Sequence, residues 1–385
     1  MHVVADTNSL LADGIITESQ ATEITRRGRE AMVQIVVHGI LIAGILAATG
    51  GLIFYLADAL SVALAGAIFM AGGWLIGRQG ANMFSRAGAI IGAGLLIGGG
   101  SLELLTNYEP IAGPALLAGG AALGAILWRS APQSLVAGAM FLMGIAAHLA
   151  GLAHWLSWSD TFAGPLPWLY ATGIIAAAGW RVDVRFVTAL AIVPFAQALD
   201  TTTAYWHATY AFYSPESTLT ILQMTAAIAA CLWLAPKRAE RQARHLGIFA
   251  LMAFIVANLC ALVGSLWGDY VGEYVWGPGY FRHWDTGWQA YDGTRAEFRE
   301  TALYISENVY SILWAVVLAA IMTWSALTTR RGLFNTTVTF ALIHGYTQLF
   351  ETFSDEPLTY ALGGLGAIPL AWGIWRANQR LSQGA

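Results

Sequence analysis

Charge is what this sequence has least of. Only 11% of its 385 residues are Asp, Glu, Lys or Arg, against roughly 25% in a soluble domain, and that shortage argues against a soluble globule. Cysteine is almost missing. Cys231 and Cys260 both lie inside apolar runs, which disfavours a structural disulfide and leaves no metal-ligand spacing; they read as small apolar residues. The sequence has no P-loop, no dinucleotide fingerprint, no H-E-x-x-H and no Cys–His zinc pattern, so nothing in it calls for a nucleotide, a metal or another cofactor. Its cations are spread over short loops, which gives nucleic-acid binding no support. The first thirty residues lack the short apolar core of a cleavable signal. They are polar and carry Asp6, Asp13, Glu18, Glu23, Glu30, Arg26, Arg27 and Arg29. The first apolar run is therefore expected to be an uncleaved anchor.

Apolar sequence fills the space that charge leaves. The chain is 57% hydrophobic, with 42 Gly and 16 Trp and a mean hydropathy of +0.58. Apolar runs fall at roughly 32–54, 57–77, 87–106, 110–128, 134–157, 166–180, 186–200, 218–235, 246–268, 303–328, 333–351 and 357–375, most of them near the ~20 residues a membrane helix needs. The expected fold is all-α: a polytopic transmembrane helix bundle of about twelve spans. The count is ten if the two short runs around Pro194, which lacks a backbone donor, form a re-entrant pair. Ahead of the spans, Gly14 reads as a helix stop and Thr17 with Gln20 as a capping box, giving a small helical foot.

Charge gives this layout a direction. With the N-terminus inside, sixteen cations and seven acids fall on inner segments, and three cations and sixteen acids fall outside. The faces then carry net +9 and −13, together the chain's −4, as the positive-inside rule expects. Both termini are placed in the cytoplasm. The expected organisation is a foot at 1–31, a Gly-rich four-span subdomain at 32–130, spans five to nine at 131–268, an outer aromatic loop at 269–302, three C-terminal spans at 303–376 and a cytoplasmic tail at 377–385. Half of the glycines, 21 of 42, precede residue 125. The pairs Gly88/Gly92, Gly94/Gly98 and Gly120/Gly124 have the four-residue spacing of close helix contacts. No sequence repeat relates the two halves.

The segment "LLADGIITESQATEI", a basic stretch, "GILIAGILAATGGLIFYLAD" and "GAIIGAGLLIGGGSLELL" resemble the start of the domain-of-unknown-function 2157 family of bacterial membrane proteins. "HGYTQLFETFSDEPLTYALGGLGAIPLAWGIWRANQRL" resembles the last helical hairpin of such proteins. The likeness covers roughly the first 130 and last 60 residues. It implies a bacterial inner-membrane protein and supplies no activity. The first outer turn, "YLADAL", lacks the Trp usual there, and the aromatic 269–302 loop is not a feature of that family.

Titratable groups at membrane depth are the first places to look for chemistry, because burying them is costly. His38, His148, His154 and His344 lie in apolar runs. His148 and His154, six apart, face different ways on a helix, which favours hydrogen bonding to neighbouring helices over a haem or a proton relay. His344, near the middle of span eleven, and Glu351, Glu307 and Asp200, at outer helix ends, form a candidate ion or proton pocket, with interfacial charge in water as the plainer reading. The outer loops are aromatic. Trp276, Tyr280, Arg282, His283, Trp284 and Trp288, with Tyr205, Trp206 and His207, form either an interfacial belt or a surface for a partner or ligand. A large outer loop between spans nine and ten is also the layout of O-antigen ligases, which brings Arg282 and His283 forward as an alternative glycan-transfer site. The expected function is a non-catalytic subunit or scaffold of a membrane complex, with protein partners and the lipid bilayer as its surroundings. A transporter or channel for protons, cations or a small solute is the first alternative, and an outer-face lipid-linked glycan transferase the second.

Overall fold

The computed structural model describes residues 7–28, 44, 47, 51, 58–78, 82–157, 164–198, 216–277, 288–353 and 357–383. These residues are helical apart from short turns and one two-residue ladder, so the fold is all-α. Among the described residues, six helices are long and apolar enough to cross a membrane, compatible with a multi-pass membrane protein. The apolar run at 32–54 lies almost wholly outside the described residues. The chain forms two compact units, Met1–Ser159 and Asp160–Ala385.

The first unit opens with α1 (Thr7–Ala12) and α2 (18–28). Gly14, at φ +69, follows α1. Thr17 then caps α2 reciprocally: its N–H donates to Gln20 Oε1 at 2.9 Å, and Gln20 N–H donates to Thr17 Oγ1 at 3.3 Å. Two tight helix pairs follow, α3 (Ala59–Arg78) with α4 (Asn82–Asn107) and α5 (Glu109–Leu127) with α6 (Leu135–Ser157). Glycine sets both approaches. A methyl on Gly92 would come within 2.6 Å of the Gly66 carbonyl oxygen, and one on Gly151 within 2.8 Å of the Gly113 carbonyl oxygen. Backbones this close gain dispersion contacts that a larger residue would forbid.

The second unit is built around α11 (Glu240–Trp267), a 28-residue helix. Against it pack α7 (Pro165–Val182), the short α8 (Arg185–Leu190) and α9 (Ile192–Gln197), α10 (Ser217–Leu234), α13 (Glu307–Leu327) and α14 (Arg331–Phe353). Two further α-helices among the described residues of this unit are α12 (Trp288–Thr301) and α15 (Pro357–Gln383). The core joins Ile192, Met224, Ala253, Val256 and Cys260, with Phe195, Phe249 and Trp314 around them. Pro194 accounts for the break between α8 and α9: it has no N–H to donate to the carbonyl one turn earlier. Residues 185–197 thus form two six-residue helices. Strand β1 (Asp269–Tyr270) pairs antiparallel with β2 (Tyr304–Ile305), bringing the end of α11 to the start of α13.

Candidate functional site

A buried polar cluster of the second unit lies where α11 ends. Gly268 takes φ +66 to stop the helix, and Asp269 follows it. One Asp269 carboxylate oxygen accepts from Thr218 N–H at 2.8 Å, from Thr218 Oγ1 at 2.5 Å and from the Tyr310 hydroxyl at 3.2 Å. Thr218 lies in the first turn of α10, whose early N–H groups have no partner in their own helix. Asp269 therefore caps α10 from the far end of α11.

Glu216, the residue before α10, is fully buried. Its carboxylate accepts from Gly272 N–H at 2.9 Å and Tyr274 N–H at 2.5 Å, and this wraps the 271–277 turn around it. Gly272 is at φ +87, a conformation glycine adopts without strain. Burial raises the Glu216 pKa to about 7, against the pull of the two N–H donors, and the neighbouring acids Asp269 and Glu273 push it the same way.

The third buried acid, Glu273, is clamped by Arg295 and Arg299 of α12, the latter at 2.8 Å. These arginines are four apart and share a helix face. Arg299 also lies 4.4 Å from the centre of the Tyr270 ring, which stacks on Tyr304 at 4.5 Å. The Tyr304 hydroxyl donates to Glu307 at 3.0 Å. The result is a frame of Glu216, Asp269 and Glu273 whose carboxylates are spent on backbone amides, hydroxyls and guanidinium groups. Around it Trp267, Trp276 and Leu303 remain 59%, 59% and 66% exposed.

A second cluster lies at the other end of α11. Asp183, at φ 57, ends α7. Arg244 reaches both of its oxygens at 2.9 Å, and His245 Nε2 donates to one of them at 2.9 Å. The other ring nitrogen of His245 faces Thr188 Oγ1 at 2.6 Å. His245 first and Arg244 second hold the Asp183 pKa below the usual carboxylate value. Hydroxyl, imidazole and carboxylate stand in the order of an activated nucleophile. Thr188, however, is only 2% exposed and packs on Gly179, so the chain of bonds ties α7, α8 and α11 together.

The residues singled out from sequence fall in different places. His344 is buried and its Nε2 donates to the Ser311 carbonyl of α13 at 3.0 Å, while its Nδ1 has no partner among the described residues. Glu307 is half-buried and engages Tyr304, and Glu351 is exposed. No hydrogen bond or ion pair links these three. Trp276 is exposed on the frame, and Trp288 opens α12. Asp200, Tyr205, Trp206, His207, Tyr280, Arg282, His283 and Trp284 lie outside the described residues. His148 donates to the Leu117 carbonyl of α5 at 2.7 Å. Sequence reasoning passed over Glu216, Asp269, Glu273, Asp183, Thr188 and His245. The available signals were Pro215 before Glu216, Gly268 before Asp269, and the four-residue spacing of Arg295 and Arg299. No family model, no curated protein and no solved structure matches this chain.

Proposed function

We propose that this chain is a twelve-span protein of a bacterial inner membrane, with both termini in the cytoplasm, that serves as a non-catalytic subunit or scaffold. Partners dock on its acidic, aromatic outer face. The observation that carries this reading is the frame at the end of α11: three buried carboxylates fix a turn, and Trp267, Trp276 and Leu303 stand exposed around it. A pre-ordered aromatic surface loses little entropy on binding, and Trp is enriched where binding energy concentrates. The sidedness of the cations supports the orientation, and the likeness of the foot and last hairpin to the domain-of-unknown-function 2157 family supports the bacterial setting. The test is gentle extraction of a tagged chain from native membranes, with mass spectrometry of what accompanies it. Stable stoichiometric partners that are lost from Trp276→Ala are expected; a partner-free, monodisperse chain overturns the reading.

One observation favours a second reading, a proton or cation path. Among the described residues the buried Nδ1 of His344 has no hydrogen-bond partner, and an unsatisfied buried polar atom marks a place for a water or an ion. Proteoliposome flux that is abolished by His344→Ala and kept by Trp276→Ala would select it.

A further inference from the structure

α10 and α13 both pack on α11, leaving between them a trough of about 980 Å³. Its floor is Gly247, Ala250 and Ala257 of α11, and it runs along α13 from Val309 to Trp324, about 22 Å at helical rise. The hydroxyls along it are already used: Thr225 and Thr336 donate to the carbonyls one turn back at 2.7 and 3.0 Å, and Thr218 is held by Asp269. The walls therefore ask for an apolar occupant. At the α14 end stands Arg330, exposed, its guanidinium 4.7 Å from the centre of the Trp324 ring. It has no carboxylate partner among the described residues. An apolar trough the length of a long acyl chain, closed by an uncommitted cation on an aromatic face, has the polarity of an anionic amphiphile.

We infer that this trough is a binding site for an anionic phospholipid, with its phosphate at Arg330 and its chains between α10 and α13. The inference rests on the bilayer placement proposed above and is independent of partner docking. The test is to reconstitute the full chain in nanodiscs of equal phosphatidylglycerol and phosphatidylcholine. The lipids that survive re-extraction are then counted by native mass spectrometry. Wild type should retain phosphatidylglycerol about five-fold over phosphatidylcholine, the equivalent of ~1 kcal/mol for one basic residue near an anionic headgroup. Arg330→Gln should bring the ratio to unity. Gly247→Phe, at a position where an added Cβ meets no neighbouring atom within 4 Å, should reduce retention of both lipids. Leu251→Trp, on the exposed wall, does the same if that variant fails to fold. Equal retention by wild type, a ratio unchanged in Arg330→Gln, or full retention in the filled variants overturns the site. A chain recovered from the soluble fraction would instead end the bilayer placement itself.

Discussion

Burial withholds bulk solvent from the Glu216 carboxylate, and the two backbone N–H groups it accepts from offset that only in part. Its proton is therefore held more tightly in the folded chain, with a pKa of about 7 against 4.5 in the unfolded one. Where the folded state binds more protons, stability falls as pH rises. The frame should be firmest below pH 4.5, loosen through the window up to about 7 and change little beyond. Hydrogen exchange at Gly272 and Tyr274, corrected for intrinsic rates, should show protection falling between pH 5 and 8. Glu216→Gln should abolish that dependence at a constant cost of ~1–3 kcal/mol, because the amide's NH₂ leaves one of the two N–H groups without an acceptor. Asp183 has the opposite sign. Its lowered pKa stabilises the fold above the usual carboxylate range, and that contribution disappears as pH falls through the folded value. Asparagine tolerates the left-handed backbone of this position and alanine does not. Thermal stability in detergent should therefore fall in the order wild type, Asp183→Asn, Asp183→Ala, with the low-pH loss blunted in both variants. None of this is written in adjacent letters. Asp183 and His245 are 62 positions apart, Glu216 and Tyr274 58, and a single sequence carries no signal linking them.

Helices were the most legible level, because a membrane span states its length and apolarity in one continuous run. Helices lie on the runs from 57–77 onward, and the capping box at Thr17 and the break at Pro194 form for the local reasons that their residues supply. Glycine spacing was only half legible. Gly88/Gly92 and Gly94/Gly98 have the same spacing on one helix, and spacing does not say which stripe faces a neighbour. In the structure Gly92 lies against the backbone of α3, whereas a methyl on Gly98 would meet nothing within 4 Å. Leucine at the two positions should separate them. Gly92→Leu pries α3 from α4, at the ~1–3 kcal/mol or more typical of overpacking. Gly98→Leu should leave the thermal midpoint nearly unchanged. Equal effects would mean that these helices do not meet along this stripe.

At the scale of the whole molecule, the orientation proposed from charge can be tested apart from any function. The proposed topology puts Arg330 and Arg331 on the same side as the termini, and Trp276 and Gly293 on the other. A cysteine at Gly293, exposed on α12, should react with a membrane-impermeant maleimide in intact spheroplasts. Cys231 and Cys260 are buried and should stay silent, which gives a clean background. A cysteine at Thr328, in the short turn before Arg330, should react only after permeabilisation. The same pair decides where partners approach. If docking uses the frame at the end of α11, a photoreactive residue at Gly293, on the helix that clamps the frame, should crosslink proteins that reach the outer face, and one at Thr328 should not capture them. Glu273→Gln weakens the clamp on Arg295 and Arg299 while keeping Trp276 in the sequence, so it should lower the Gly293 crosslinking yield without changing maleimide sidedness. If that yield is unchanged, the aromatic residues bind without the frame, and the buried acids serve only to close the ends of the helices.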